Sequence, residues 1–276
     1  MSTPYHTGAD LHLHSSYSDG SFSPREVISH AAAQRLNPIA LTDHDTVAGI
    51  PEALGAGDEM QVEVIPGVEI SVHEAKQEIH ILGYFIHWED PAFQRTLDSL
   101  EAQRRERLDE MLRRLDRLGV PVSVSEVLQI AGKGTVGRLH VARTLVAQGA
   151  VSSVQDAFDR FLAQGRPAYV QRREFTAHQA IATIRDARGI ATLAHPGRDG
   201  LTRLPSLIEA GLQGIEVFHP SHTSEEVFTI TRVATERGLL ITGGSDCHGL
   251  AKGQPQLGLV RLPLEYVERL RQATLG

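Results

Sequence analysis

Several short apolar segments of this chain run into residues that can bind a metal ion. In the segment 10–14, His12 and His14 alternate with Leu11 and Leu13. Alternate side chains of a β-strand lie on opposite faces, so the two histidines would share a face and could bind one ion. A single His-x-His segment is weak evidence, because such pairs also occur on solvated strands. Repetition of the pattern along the chain makes it informative.

Five further apolar runs lead into, or contain, residues of the same kinds. With the first segment they supply nine candidate metal ligands: His12, His14, Asp19, His44, Glu69, His80, His195, Asp246 and His248. Imidazole and carboxylate together suit Mn, Fe, Zn or Mg better than a metal that prefers thiolates. Nine ligands are too many for one ion, so the sequence predicts two or three divalent ions that share a bridging carboxylate.

Strand-like runs alternate with helical patterns over most of the chain. The strands are predicted near 9–13, 38–42, 62–66, 78–86, 190–194, 213–218, 239–243 and 257–262. This alternation predicts an α/β fold with a parallel sheet, and ligands at the ends of many strands predict a closed barrel with its site on the C-terminal face. Ser23 and Thr176 each begin a helix, because a glutamate or glutamine follows three residues later.

The strand pattern stops between about 92 and 170. Leucines recur at helical spacing from Phe93 to Leu118, and three more helical patterns follow, at 124–130, 139–148 and 154–163. We therefore expect an all-helical cap inserted into the barrel. The predicted parts are a first barrel segment, the helical cap insertion and a second barrel segment, at 1–92, 93–170 and 171–276.

Composition limits the classes of function. The 276 residues carry a formal net charge of −7, which argues against a broad DNA- or RNA-binding surface. No apolar run approaches the roughly 18 residues of a membrane span, and residues 1–8 lack the order of a signal peptide. Cys247 is the only cysteine, so no internal disulfide can form. We expect a cytoplasmic enzyme with no membrane partner and expect Cys247 to be a spacer; the oligomeric state stays open, a monomer included.

The motifs resemble those of the PHP (polymerase and histidinol phosphatase) family, in the same order and over nearly the whole chain. They are Asp-Leu-His-Leu-His at 10–14, Ser-Asp-Gly at 18–20, Thr-Asp-His-Asp at 42–45, Pro-Gly-Val-Glu at 66–69, His80, Ala-His-Pro-Gly at 194–197 and Ser-Asp-Cys-His at 245–248. The resemblance implies a distorted seven-stranded (β/α) barrel and a trinuclear, manganese-type site. With its helical interruption, the chain is most similar to the branch that holds bacterial 3′,5′-nucleoside bisphosphate phosphatases and 5′→3′ exoribonucleases.

The resemblance also implies how the ligands are shared. One ion would take His12, His14, Glu69 and Asp246, a second Asp19, His44 and His248, and a third Glu69, His80 and His195. Water bridging two ions beside Asp19 and His44 would be the nucleophile, because cations can lower its pKa to about 7. His222, which follows a predicted strand, is a further catalytic candidate. Carboxylates beneath the site are expected to orient the ligand imidazoles: Asp10, Asp43 and Glu216.

Arginines of the helical segment are candidates for phosphate binding. The resemblance assigns substrate phosphate to Arg104, Arg107 and Arg138, and it places Arg198 facing the metals. Arginine suits this role because its planar guanidinium binds phosphate bidentately and keeps its charge. The alternative is a solvated helix, on which the arginines pair with nearby acids such as Glu101 and Glu106.

The predicted reaction is hydrolysis of a phosphomonoester of a nucleotide, at the 3′-phosphate of a 3′,5′-bisphosphonucleoside, giving a 5′-mononucleotide. We expect Mn²⁺, with Mg²⁺, Fe²⁺ and Zn²⁺ as alternatives, and a small nucleotide or short RNA as partner. Three alternatives stay open: a 5′→3′ exoribonuclease acting on short RNA, a histidinol phosphate phosphatase and a metal-binding non-catalytic module. A dinuclear amidohydrolase barrel is disfavoured, because none of the lysines (Lys76, Lys133 and Lys252) lies at the end of a middle strand.

Overall fold

The computed structural model describes residues 8–74, 77–132, 136–251 and 253–275. Within these residues the strands form a seven-stranded sheet in which neighbours follow the order of the chain. The strands are β1 (Gly8–Leu13), β2 (Leu36–Leu41), β3 (Val64–Glu74), β4 (Gln77–Tyr84), β5 (Ile190–Leu193), β6 (Gly214–Phe218) and β7 (Leu240–Gly243). The predicted α/β class is confirmed.

Helices connect most of the strands. They are α1 (Pro24–Ala33), α2 (Ile50–Met60), α3 (Pro91–Arg117), α4 (Val124–Ala131), α5 (Arg138–Ala147), α6 (Val154–Ala157), α7 (Ala177–Asp186), α8 (Gly197–Gly200), α9 (Leu204–Glu209), α10 (Ser224–Arg237) and α11 (Leu264–Ala273). The predicted starts at Ser23 and Thr176 are confirmed, and both form capping boxes. Among the described helices, none combines the length and the apolar composition that crossing a membrane requires.

Most of the sheet is parallel, as predicted, but β4 runs against both of its neighbours. The pairs β1–β2, β2–β3, β5–β6 and β6–β7 are parallel, whereas β3–β4 and β4–β5 are antiparallel. A parallel connection needs a crossover of a dozen or more residues, and β3 and β4 are nearly continuous in sequence. The chain must therefore reverse between them.

The predicted strand at 257–262 is wrong. Only Leu262 pairs there, in an isolated bridge with Ala9, and Gly258 has a φ of +85° that interrupts an extended backbone. At the other end of the same strand, β1, Leu13 forms an isolated parallel bridge with Cys247, which follows β7. Closure of the sheet into a barrel remains a prediction.

The chain divides into two compact units. One comprises Met1–Thr96 with Glu174–Gly276 and contains the sheet, and the other is Leu97–Arg173. In its described residues the second unit is all-helical, and its apolar core includes Leu108, Leu115, Val127, Val141 and Leu162. The helical patterns at 93–118, 124–130 and 139–148 are confirmed, while the one at 154–163 is divided between α6 and a π-helix, Phe158–Leu162. A capping role for this unit and the domain boundaries given above remain predictions.

Candidate metal centre

The nine candidate ligands meet within the first unit because of where their strands end. His12 is on β1 and His14 follows it, His44 follows β2, His195 follows β5, and Asp246 and His248 follow β7. Parallel strands carry their carboxyl ends to one edge of a sheet. Glu69 and His80 instead project from within the antiparallel pair β3–β4.

Glu69 lies at the middle of the cluster. Its side chain is 1% exposed, and its two oxygens face five imidazole nitrogens: His12 Nε2 and His14 Nε2 at 3.1 Å, His44 Nδ1 at 3.3 Å, His80 Nδ1 at 2.8 Å and His195 Nε2 at 3.3 Å. Such a position is the one that a bridging carboxylate requires.

Two aspartates lie on either side of His14 and His248. Asp246 Oδ1 is 3.0 Å from His14 Nε2 and 3.4 Å from His248 Nδ1. Asp19 Oδ1 is 3.0 Å from His248 Nε2, and Asp19 Oδ2 is 4.0 Å from His44 Nε2. The ligand atoms gather into three overlapping groups: His14, Asp19, His44 and His248; His12, His14, Glu69 and Asp246; and His44, Glu69 and His80. The second group coincides with the predicted ligand set of one ion.

The donor atoms fit divalent cations. Both ring nitrogens of His14 and the Nε2 atom of His248 are buried without a hydrogen bond, although carboxylate oxygens lie close to them. Neighbouring ligand atoms of an octahedral ion with bonds of about 2.1 Å are about 3 Å apart, which is the spacing observed here. An ion between the imidazole nitrogens and the carboxylate oxygens would satisfy both.

The electrostatics of the cluster also call for positive charge. Burial lowers the pKa of His44 to about 3, which keeps this imidazole neutral, as a metal ligand must be. Burial also lowers the pKa of His14, but the carboxylates of Asp246 and Glu69 outweigh it and raise this pKa to about 9. Burial also lowers the pKa of His80, but the carboxylate of Glu69 outweighs it and raises this pKa to about 10. The carboxylates thus stabilise protonated imidazoles at His14 and His80, and bound cations would take the place of those protons.

Backbone geometry at the ligands is unusual. His195 has a φ of +24° and Asp246 a φ of +50°, in the region that most non-glycine residues avoid. Positions of this kind cluster at active sites, where the surrounding structure holds the strain. Gly244 lies so close to the backbone of His12 that a Cβ atom would overlap it. This close approach brings the segment that carries Asp246 against β1.

Comparison with known proteins identifies the family. The PHP domain is matched over residues 10–163. The chain belongs to the PHP family.

Three curated relatives match this chain over most of their own length. The chain is 35% identical over 258 residues to the 3′,5′-nucleoside bisphosphate phosphatase of Chromobacterium violaceum, covering 90% of each chain. It is 39% identical over 245 residues to a 5′-3′ exoribonuclease of Haemophilus influenzae, covering 87% of this chain and 89% of that one. It is 33% identical over 259 residues to a phosphoribosyl 1,2-cyclic phosphate 1,2-diphosphodiesterase of Eggerthella lenta, covering 92% and 98%.

Two solved structures share the PHP fold. A protein from Bifidobacterium adolescentis, assigned as a metal-dependent phosphoesterase, superposes with a TM-score of 0.83 at 29% identity and covers 96% of this chain and 95% of its own. An amidohydrolase from Chromobacterium violaceum, solved with sulfate and no metal, superposes with a TM-score of 0.78 at 33% identity and 96% coverage of both. The chain is therefore a metal-dependent phosphoesterase, and the alternative of a non-catalytic module is wrong.

Among the three carboxylates predicted to orient imidazoles of this PHP site, Glu216 contacts a ligand imidazole directly, and its orienting role remains a prediction. Its Oε1 atom lies 3.0 Å from His12 Nδ1, and its Oε2 atom accepts a hydrogen bond of 2.8 Å from the backbone N–H of His195. Burial raises the pKa of Glu216, but the neighbouring His12 outweighs burial, so the net shift is downward and the carboxylate stays ionised.

Asp10 and Asp43 accept hydrogen bonds from serines, and their predicted effect on the ligand imidazoles remains a prediction. Asp10 accepts hydrogen bonds from the backbone N–H and hydroxyl of Ser245, at 2.8 and 2.6 Å, and burial raises its pKa to about 6. Asp43 accepts from the backbone N–H and hydroxyl of Ser15 and from the hydroxyl of Ser18. Both side chains thus hold the loops that carry Asp246 and Asp19.

Two histidines follow β6, and their ring nitrogens have different contacts. His222 Nδ1 donates to the carbonyl of Val217 at 2.8 Å, and His222 Nε2 accepts from the N–H of Gly197 at 3.2 Å. Both ring nitrogens therefore contact backbone groups, and a catalytic role for His222 remains a prediction. His219 follows the same strand; its ring centroid is 5.1 Å from that of His195, and its Nε2 atom is 3.8 Å from Asp246 Oδ2. Its position directly after a strand was the signal.

The predicted substrate arginines lie in several environments. Arg198 is half exposed and forms an ion pair with Glu225. In the helical unit, Arg107 is buried and its Nε atom donates to the carbonyl of Val170 at 2.7 Å. Arg138 lies over the rings of Phe158 and Tyr169, at 5.8 and 5.6 Å from their centroids, and Arg104 is half buried on α3. Their binding of substrate remains a prediction.

Proposed function

We propose that this phosphoesterase removes the 3′-phosphate from a 3′,5′-bisphosphonucleoside and leaves a 5′-mononucleotide. The observation that carries the proposal is the set of three overlapping ligand groups around Glu69, which would place cations side by side. Adjacent cations can bind two oxygens of one phosphate and offset the charge of an anionic substrate. The substrate itself is suggested by the relative from Chromobacterium violaceum, which matches at 35% identity over 90% of both chains.

The exposure of the ligands supports one direction of approach. His12 and His14 are fully buried, whereas Asp19, Asp246 and His195 are 31%, 21% and 27% exposed. A phosphate would therefore arrive on the side of these three residues. Divalent ions held here would supply a nucleophilic water at neutral pH and would stabilise charge on the leaving oxygen.

Protein residues would keep the reacting groups in place. Glu69 would bridge ions at the buried end, and Glu216 would fix the ring of His12 so that its Nε2 atom faces the ligand cluster. Asp19 and His44 would lie beside the attacked phosphorus at the more exposed end. We further propose Mn²⁺ as the metal, three ions at full loading, a cytoplasmic location, and a helical cap that contributes Arg104, Arg107 and Arg138 to binding of the phosphate that is not hydrolysed.

A second candidate is 5′→3′ hydrolysis of short RNA. It is favoured by the 39% identity to the exoribonuclease of Haemophilus influenzae. Both substrates carry a 5′-phosphate and a neighbouring 3′-linked phosphate, so the same ligands could serve either reaction.

The test is a substrate screen of manganese-loaded protein. 3′,5′-Bisphosphonucleosides, short 5′-phosphorylated RNA, histidinol phosphate and para-nitrophenyl phosphate are compared by kcat/KM, with metal-free protein as the control. We expect the bisphosphate to give inorganic phosphate and a 5′-mononucleotide at the highest kcat/KM. A higher value for RNA would favour the exoribonuclease, a higher value for histidinol phosphate would favour that phosphatase, and either result would overturn the proposal.

A variant tests the arginines within the same screen. Arg138→Ala should lower the ratio of kcat/KM for the bisphosphate to that for para-nitrophenyl phosphate about tenfold, equivalent to roughly 1.4 kcal/mol. Arg160→Ala is the matched control, because Arg160 also lies over an aromatic ring in the helical unit, that of Phe161. An unchanged ratio in the Arg138 variant would return the arginines to the solvated-helix alternative.

A further inference from the structure

A cavity of about 270 Å³ opens beside the metal centre, within the first unit. Asp246 and His248 contribute to one wall, and the other walls include His219, Ser221, Gln254 and Gln256. Because candidate metal ligands line it, a group bound in the cavity would be directly attached to, or next to, a phosphate bound at the metal centre.

The size of the cavity fits part of a ligand. Pockets that enclose a whole drug-sized ligand measure about 300–1,000 Å³. A space of 270 Å³ is therefore suited to a sugar and a base whose phosphate lies outside it, at the metal centre. The lining includes the carboxylate of Asp246 and the neutral amides of Gln254 and Gln256, which favour an uncharged group over a second phosphate.

His219 presents a hydrogen-bond donor at this place. The backbone N–H of Ser221 donates to His219 Nδ1 at 3.1 Å, and the Ser221 hydroxyl is 2.7 Å from the same nitrogen. Nδ1 is therefore an acceptor, and the neutral ring must carry its proton on Nε2. That Nε2 atom is buried without a hydrogen bond, and the side chain is 9% exposed. Asp246 Oδ2 lies 3.8 Å from this nitrogen, beyond hydrogen-bond distance, so a ligand oxygen would supply the close acceptor that the buried donor needs.

Gln254 and Gln256 bring groups that can recognise a base. Each amide offers both a donor and an acceptor, and together these can pair bidentately with the edge of a nucleobase. The two side chains are exposed, so they are free of the packing that would prevent them from adjusting to a ligand.

We propose that this cavity is the subsite for the nucleoside leaving group. In it, His219 Nε2–H donates a hydrogen bond to the ester oxygen that departs, and Gln254 and Gln256 contact the base. The proposal rests on the proposed function, since it takes the substrate to be a nucleoside phosphate ester. It adds the residues that distinguish a nucleoside from any other alcohol.

Two sets of variants test the subsite. In Gln254→Ala/Gln256→Ala, the ratio of kcat/KM for the bisphosphonucleoside to that for para-nitrophenyl phosphate should fall tenfold or more, and differences among substrates with different bases should shrink. Calorimetry should show a matching rise in the Kd of the 5′-mononucleotide product. Gln272→Ala is the control, because Gln272 is an exposed glutamine on α11 that does not line the cavity.

His219→Ala should lower kcat more for the nucleotide than for para-nitrophenyl phosphate, whose leaving group is a weaker base and needs less stabilisation. His219→Gln, which keeps an N–H donor at a similar distance, should restore part of kcat. Bound manganese, measured by elemental analysis, should be the same in all variants.

The results separate the two proposals. If the wild-type protein hydrolyses para-nitrophenyl phosphate but no nucleotide, the proposed function fails. If the wild-type protein hydrolyses the nucleotide but the glutamine variants leave substrate ratios and the product Kd unchanged, the nucleoside subsite fails alone. If His219→Ala loses manganese and its kcat falls equally for both substrates, His219 is a metal ligand, and its role as a donor is overturned.

Discussion

Glu216→Gln tests whether the metal centre depends on a carboxylate that does not itself face the ions. Glu216 is fully buried, and its two oxygens contact His12 Nδ1 at 3.0 Å and the backbone N–H of His195 at 2.8 Å. Glutamine has the same shape but only one acceptor. Its NH₂ group would face one of these two donors, and the ring of His12 would have to turn or change its tautomer.

The magnitude follows from two independent arguments. A hydrogen bond to a charged group contributes about 1.5–3 kcal/mol, and a buried donor left without an acceptor costs about 1–3 kcal/mol. Removal of a group that orients a metal-bound histidine typically lowers metal affinity or activity about 10–100-fold, or roughly 1.4–2.7 kcal/mol. Because the two ranges overlap, we expect the Kd for Mn²⁺ to rise about 10–100-fold in Glu216→Gln.

The assay is calorimetric titration of metal-free protein with Mn²⁺, together with kcat/KM at saturating metal. Glu209→Gln is the control, because it removes the same charge from an exposed position on α9. A Kd for Mn²⁺ within about twofold of the wild-type value would refute the reasoning, since the ring of His12 would then not depend on Glu216.

Three further predictions concern metal, core and cap. Chelation should abolish activity, and added Mn²⁺ should restore it. Glu69→Ala should bind at least one metal equivalent fewer than wild type by elemental analysis, because Glu69 faces five imidazoles. A full complement of metal in this variant would exclude a bridging role for Glu69. Leu115→Ala should lower the free energy of unfolding in urea by about 2–5 kcal/mol, because Leu115 is fully buried in the helical unit; a change under about 1 kcal/mol would contradict this. The Ser123 and Gln148 side chains lower the pKa of Glu126 to about 2. The ionised Glu126 should therefore stabilise the folded protein fully above its unfolded pKa of about 4.3, and this contribution should be lost as pH falls through about 2. In acid unfolding, the free energy of unfolding of Glu126→Gln should lack this part of the pH dependence that the wild-type protein shows.

Much of the metal centre is predictable because strand geometry is local. Alternation along β1 places His12 and His14 on one face whatever the rest of the fold does, and a ligand directly after a parallel strand must lie at the carboxyl edge of the sheet. Helix starts are equally local, since the capping boxes at Ser23 and Thr176 involve residues only three positions apart. The arrangement of motifs in this order also indicated the PHP family.

Other features depend on contacts that no local pattern contains. β3 extends to Glu74, well beyond the strand predicted near 62–66, because it pairs with β4 in the antiparallel sense. The segment 257–262 has the composition of a strand but meets its partner only at Leu262. Asp10 has the same alternation as His12, yet its partner is Ser245, which is 235 residues away in the chain.

The histidines after β6 show why the tertiary structure had to decide between them. His219 and His222 follow the same strand and have the same chemistry, so the sequence permits either to face the metal centre. The fold places Gly197 and Val217 against both nitrogens of His222, whereas Ser221 occupies only Nδ1 of His219. A ring nitrogen that is bonded to the backbone is less available to a substrate than one that is not. Side-chain type and strand position are local properties of the sequence, but the availability of a proton is set by which distant backbone groups the fold brings within hydrogen-bond distance.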